Sequence, residues 1–508
     1  ITTAEHLTRT LDERGSDAQT AAYLLDALAN MKARVPLERL MRFWDVPMLR
    51  RSLYSVLGLT LDPGAIPLLI DGAAHGSKRN RAVAIIALAR LLEHTSRREE
   101  IGERLRVNGT ARESIINALE DESDDVVAAA VVLAATLNTP SVAPKLLDAV
   151  ACRTIVETGM ETVTGLGGEV VTHLIGEIYR VGIESRVLFL EAIEFLGDVQ
   201  HVPDLLEIAS HSETRTAEAA VRAIGRIGGA IAVSGLMELA RKSSAELEMQ
   251  VAHAIAEIGR RHPEPTAAAM VEAIDGGDVR AAWLTVLGAV GRPSDAELVR
   301  RSLNHRDSPV RIAGYDAANL FGESFPVDSL IFGLTDESST VRGRAARALG
   351  NHRSQAAVDA LLAAAKDRDS QVVAEALRSL GAVGGPKVLA TLRAAVASKE
   401  SVVALAALQA LFRLNPPELR EWLKPAFEHF DPEVVREAVS VTVRLSEADA
   451  LPFLLPALEH RFWTVRRASA DALAAREARV PVALLEARLQ DESEALVVAS
   501  LRRLEASS

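Results

Sequence analysis

The chain has 508 residues, 48% of them apolar and only 4% aromatic, with 57 basic and 69 acidic side chains giving a net charge of −12. That balance disfavours a generic phosphate-binding surface, and the single cysteine, Cys152, excludes an internal disulfide framework. No apolar run reaches the roughly 18 residues a membrane span needs. With so few aromatics the core must be built from Ala, Leu, Val and Ile, which suits closely packed helices and predicts an all-α, soluble, cytoplasmic protein. Ile1 is not an initiator methionine, so an upstream domain or targeting signal is left open.

In chain order, apolar residues at helical spacing predict helices within 16–31, 46–58 and 79–92. The stretch 93–109, EHTSRREEIGERLRVNG, then breaks the spacing: leading apolar residues near 82 and 126 stand 44 apart where 31 is the rule. An extra short helix is expected there, either as a binding projection or as a surface excursion of balanced charge. Further helices follow at 124–137, 153–167, 184–197, 214–228, 245–259, 277–288, 308–322, 339–350, 370–381, 401–412 and 463–474. Gly165, Gly167 and Gly168 in TGLGGEVVTHLIG, 164–176, read as a helix stop and turn, because no glycine stands where a dinucleotide loop needs its third.

The stretch STVRGRAARALG, 339–350, is the reference copy. Val341, Ala345, Ala348 and Leu349 form one helix face, and Gly350 reads as its stop. The leading residues Val279, Val310, Val341, Val372, Val402, Val434, Val465 and Leu496 are 31, 31, 31, 30, 32, 31 and 31 apart. A second amphipathic segment separates successive copies, for example 354–367 and 385–398. Pro36, Pro309, Pro386, Pro432 and Pro481 sit near expected helix starts. About 16 helical pairs result, and a period in the 20 to 50 residue range signals a solenoid. A single continuous array over 1–508 is expected. The last unit, 482–508, ends in Arg502, Arg503 and Glu505, the polar outer cap such an array needs.

The Val-Arg openings (Val279-Arg280, Val310-Arg311, Val341-Arg342, Val465-Arg466), the Ala-rich middles, the Leu-Gly or Ile-Gly closes and the return IGGAIAVSGLMELA at 227–240 resemble the HEAT repeat family, in particular the short bacterial HEAT-like units of phycobilin lyases. The resemblance implies an α-α superhelix whose second helices line a concave face. It specifies function weakly, because such arrays serve as adaptors, enzymes, chaperones and nucleic-acid binders.

Five residues before the leading position, three repeats carry Asp336, Asp367 and Asp491 and three carry His305, His429 and His460. The Asp row can cap the following helix or pair with the Arg that opens it, which makes a structural ladder. His429 and His460 stand one repeat apart but lack a third ligand, so no metal site is assigned. The lysine-hydroxylating HEAT enzymes carry repeated His-Glu pairs, whereas here Glu93-His94, Glu428-His429 and Glu459-His460 run the other way. No catalytic or cofactor-binding residue is assigned.

Positions two, three and six after the leading residue are expected to face outward. They hold Gly343, Arg344 and Arg347, then Ala374, Glu375 and Arg378, then Arg467, Ala468 and Asp471. Their mixed signs lack the sustained basic stripe, interleaved with aromatics, of a nucleic-acid binder. Arg344, Arg347 and Arg378 form a candidate patch for an acidic peptide or protein face, against the alternative of an ordinary solvated face. The triplet Arg-Phe-Trp occurs twice, at 42–44 and 461–463, and makes Phe43, Trp44, Phe462 and Trp463 candidate interface anchors or packing residues. The expected function is a non-catalytic protein-interaction scaffold or adaptor. A phycobilin-lyase-type lyase or chromophore-handling chaperone is the alternative, and nucleic-acid binding is disfavoured by charge.

Overall fold

The computed structural model describes residues 3–14 and 17–476. Among these residues every regular element is a helix and no strand occurs. They fall into two compact units, Ile1–Ile258 and Gly259–Ser508. The leading helices of the first unit are Ala18–Asn30, Arg50–Leu57, Lys78–Glu93, Asp124–Leu137, Val156–Gly165, Ile183–Leu196, Thr214–Ile227 and Ala245–Arg261. Those of the second are Ala281–Val290, Ser308–Phe321, Ser339–Leu349, Ser370–Leu380, Ser401–Leu414, Pro432–Val441 and Trp463–Ala475. Successive leading helices pack side by side, as Ser370–Leu380 and Ser401–Leu414 do, and leading helices also pack on the helix that precedes them, as Ser401–Leu414 does on Pro386–Val396. The sixteenth expected helix, around Leu496, lies outside the described residues together with Pro481, Asp491 and the cap at 482–508.

The cause of the 31-residue period is visible in burial. Val310, Val341, Val372, Val403, Val434 and Val465 are all buried, so each leading helix enters the core at the same phase. Val402 is only half-buried; the leading residue of its repeat is Val403, and every step from Val310 to Val465 becomes 31. Val279 departs differently. Its helix starts only at Ala281, because Gly277 turns with φ 91° and Arg280 is extended, its Nε donating to Asp278 Oδ1 at 2.7 Å.

The helix Ser339–Leu349 ends at Gly350 as expected, but without a left-handed turn. The Gly350 φ is −62°, and the absent side chain matters for helix approach: a Cβ there would lie 2.9 Å from Ser379 Cβ on the next leading helix. Gly381 meets Ala410 in the same way at 2.7 Å, Gly58 meets Ala87 at 2.9 Å and Gly225 meets Ala254 at 3.0 Å. Each pair is 29 residues apart, and the partner is always Ala or Ser. Small residues on both sides let neighbouring backbones come closer than larger side chains permit. A second lock recurs at Tyr54 and Tyr315, whose rings occupy the space a Cβ would need at Gly72 and Gly333. Burial pushes the Tyr315 phenol up to about 12.

The insertion contains the expected helix, Arg98–Val107, followed at once by Gly109–Ala118. Asn108 closes the first and caps the second, its Oδ1 accepting the Ala111 amide at 3.0 Å. Gly109–Ala118 packs on Ala65–His75 and on Asp124–Leu137, as a short helix of any repeat does, so Arg98–Val107 is the additional element. It is not a loose surface excursion. Ile101 and Leu105 are fully buried, the helix packs on Asp124–Leu137, and Arg106 Nη1 donates to Thr136 O at 2.8 Å. At 164–176, Val156–Gly165 ends, Gly167 turns with φ 82°, and Val170–Glu177 begins, a stop and turn as read from the sequence.

Candidate functional site

The turns before the leading helices share one backbone device. Asp336 Oδ1 accepts the Ser338 amide and Asp367 Oδ1 the Asp369 amide, both at 2.9 Å. His305, His429 and His460 accept the corresponding amides through Nδ1 at 3.2, 3.0 and 3.3 Å. Ser398 does so with its hydroxyl at 3.1 Å. Asp, His and Ser therefore serve the same turn, each offering an acceptor to the residue two ahead. An accepting Nδ1 requires a neutral ring with its proton on Nε2. Among the described residues no group of three His, Cys, Asp or Glu side chains could hold a metal ion.

What distinguishes the Asp turns is the arginine of the preceding repeat. Arg311 donates to Asp336 at 2.8 and 2.9 Å, and Arg342 to Asp367 at 2.8 and 2.8 Å. Each Nη1 also bonds two carbonyls of its own turn, His305 and Arg306 for Arg311, Asp336 and Glu337 for Arg342. The pairing thus crosses from one repeat to the next, and does not join an Asp to the Arg that opens its own helix. The Arg342 hydrogen bond holds the Asp367 carboxyl below its ordinary value against the opposing effect of burial. For Asp336 burial is the larger influence and raises it, yet bonds from Arg311 and the Ser338 amide together bring it below its ordinary value. These rows are structural.

Arg344, Arg347 and Arg378 do come together, but around acidic partners. Arg347 binds Glu375 at 3.2 and 3.0 Å, Arg378 reaches the same carboxylate at 3.0 Å and Gln409 at 3.2 Å, and Arg344 lies 3.5 Å from Asp316. Three cations thus face two carboxylates. Burial raises the Asp316 pKa, with Arg344 and Arg347 opposing it. A groove of about 290 Å³ runs between Ser339–Leu349 and Ser370–Leu380, lined by Gly343, Arg344, Arg347, Asp369, Gln371 and Glu375. Gly343 and Ala374 are buried, whereas Arg467, also two after its leading residue, is exposed; of the positions three and six after, Arg344, Glu375, Arg378 and Ala468 are half-buried and Arg347 and Asp471 exposed. Asp316 was missed in the sequence, although it stands 31 residues before Arg347 and so faces the next rung.

The two Arg-Phe-Trp triplets share a stack, with the Arg42 and Arg461 guanidinium groups each 4.5 Å from the following Phe ring. Phe43 is buried. Trp44 is half-buried, covered by Arg50 at 3.6 Å and by the edge of Tyr54. Phe462 packs against the core containing Val435, Leu454 and Val465. Trp463 differs from its counterpart: it is 44% exposed, and Phe430, whose carbonyl accepts from Arg461 Nη2 at 3.2 Å, is 63% exposed.

The family model of HEAT repeats matches residues 327–412 and 417–504. Curated proteins give no match by sequence. Among solved structures, the chain is similar to Kap121p bound to Pho4p, with a TM-score of 0.54 and 12% identity over 98% of this chain; it spans 65% of that one. It is also similar to Kap95p in a structure with RanGDP, with a TM-score of 0.50 and 13% identity over 100% of this chain and 73% of that one. At such identities the likeness is one of fold alone. The complex of CpcE and CpcF of phycocyanin lyase from Nostoc, 24% identical over 42% of this chain and 88% of that one, has a TM-score of only 0.28 and carries no functional weight. The matched segments and the recurring helical pairs lead to the same assignment: the chain carries HEAT repeats at residues 327–412 and 417–504.

Proposed function

We propose that this protein is a non-catalytic cytoplasmic scaffold, built as one array, that holds partner proteins and seats an acidic peptide or protein face on Arg344, Arg347 and Arg378. The observation that carries the reading is the groove between Ser339–Leu349 and Ser370–Leu380, where Glu375 occupies two arginines. Three arginines share two carboxylates, so a partner carboxylate can join Glu375 and Asp316 as a further acceptor of guanidinium N–H groups without displacing either, which gives association its electrostatic complementarity. Trp463 and Phe462 offer a separate aromatic contact and Phe43 with Trp44 a covered one. Kap121p, similar in fold, is described as bound to Pho4p and to the extreme C-terminus of the protein phosphatase Cdc14p, which supports partner binding as the use of this architecture.

The test is replacement of Arg344, Arg347 and Arg378 together by Glu, with affinity measured for a partner recovered by cross-linking in the native source and then purified. Affinity at low salt falls at least tenfold and its salt dependence flattens while helix content is retained; unchanged affinity contradicts the proposal. Limited proteolysis tests the single array, which a stable fragment cut from within it would contradict.

A further inference from the structure

We propose that the inserted helix Arg98–Val107 builds a second docking groove, for a cationic amphipathic peptide segment of a partner protein. This rests on the scaffold reading but on a different surface. The inner face of the helix, Ile101 and Leu105, is fully buried, so the helix is fixed and its opposite stripe, Glu99, Glu103 and Val107, faces solvent. The repeat period does not require this helix. Its addition creates a groove of about 530 Å³ against Ala65–His75, with Ile70 buried within its lining and Pro67 and Val107 at its edges. Val107 is 83% exposed, a large apolar side chain held at the lip of a concavity.

The charge around the groove selects the occupant. Asp71, Glu100 and Glu103 line it beside one cation, Arg104, and Arg104 is already paired with Glu100 at 3.3 Å, which Arg97 also holds at 2.9 Å. The two remaining carboxylates, Asp71 and Glu103, are exposed. An aliphatic side chain entering over Ile70 and Val107 places its neighbours beside these acids, so the complementary segment carries Leu- or Ile-type anchors flanked by Lys or Arg. Nucleic acid and anionic membrane are repelled by the same carboxylates.

The probe is a fluorescein-labelled amphipathic helical peptide of alternating Leu and Lys faces, compared by anisotropy with its Leu and Glu counterpart on the full chain. The cationic peptide binds and the acidic one does not. D71K/E103K weakens binding at least tenfold and V107S at least threefold, with unchanged thermal melts, since all three side chains are exposed. The Arg344, Arg347 and Arg378 variant leaves this affinity unchanged, so failure of that surface is read separately. Equal binding of both peptides, or affinities within twofold in D71K/E103K or in V107S, overturns the proposal.

Discussion

Arg342 and Asp367, 25 residues apart, are joined by two hydrogen bonds of 2.8 Å with both side chains largely withdrawn from water. The geometry recurs at Arg311 and Asp336. Where the residue after the leading one is Val373, Ala404 or Val435, the matching turn holds Ser398, His429 or His460, so Asp336 and Asp367 stand opposite Arg311 and Arg342 and are replaced where Arg is absent; Arg280, which lies before its helix and donates to Asp278, is matched by His305 instead. Removing one member leaves the other charge buried, at a cost of about 3 to 5 kcal/mol. Arg342→Val should therefore destabilise far more than the double change Arg342→Val with Asp367→Ser, which recreates the Val373 and Ser398 combination. Denaturant melts check this; equal losses in both variants would show the pairing to be incidental.

The depressed carboxyls add a pH signature. Asp336 and Asp367 titrate below their ordinary 3.8, so their contribution is complete above that value and lost as pH falls through their folded values. Replacing both pairs by the Val and Ser combination should flatten the stability profile below pH 3.8 relative to the native protein.

Close helix approach predicts two glycine substitutions of opposite sign. Gly381→Ala places a methyl 2.7 Å from Ala410 Cβ and should cost about 1 to 3 kcal/mol by overpacking. Gly343→Ala meets only Glu375 Cγ at an ordinary 3.8 Å and should stabilise by about 0.5 to 1 kcal/mol through helix propensity. Loss of stability at Gly343 would contradict the packing described.

His352 is 7% exposed, its Nε2 has no hydrogen-bond partner, and burial lowers its pKa from 6.5, opposed by Glu323. A His with a depressed folded pKa contributes fully above 6.5, and that stability is lost as pH falls through the folded value. Asp316 and Glu437, raised by burial, act in the opposite sense nearer pH 4. The comparison of His352→Leu with the native protein isolates the effect: between pH 7 and 5 the native protein should lose stability more steeply. Parallel profiles would show that His352 does not contribute to the pH dependence.

The period, the helical class and the inserted helix were legible in the sequence because each rests on spacing alone. From Val310 to Val465 the leading residues were legible to within one position, Val402 and Val403 both being valines that only packing separates, whereas Val279 lies before its helix. The purpose of Gly350 was not legible, since a helix stop and a close crossing leave the same residue. The arginine patch was legible as residues and not as electrostatics: Asp316 and Glu375 lie one rung away, where the period points but their side-chain reach decides. The groove beside Val107 required knowing which face of the inserted helix turns inward.

The proposed seat of a partner is the groove between Ser339–Leu349 and Ser370–Leu380. A photo-cross-linking amino acid placed at Gln371, exposed and lining that groove, and separately at Ala394, exposed on Pro386–Val396, tests it directly. A covalent adduct with the purified partner is expected from position 371, reduced when Arg344, Arg347 and Arg378 are changed to Glu, and none from 394. Adducts absent from 371 under conditions where the partner is bound would contradict it.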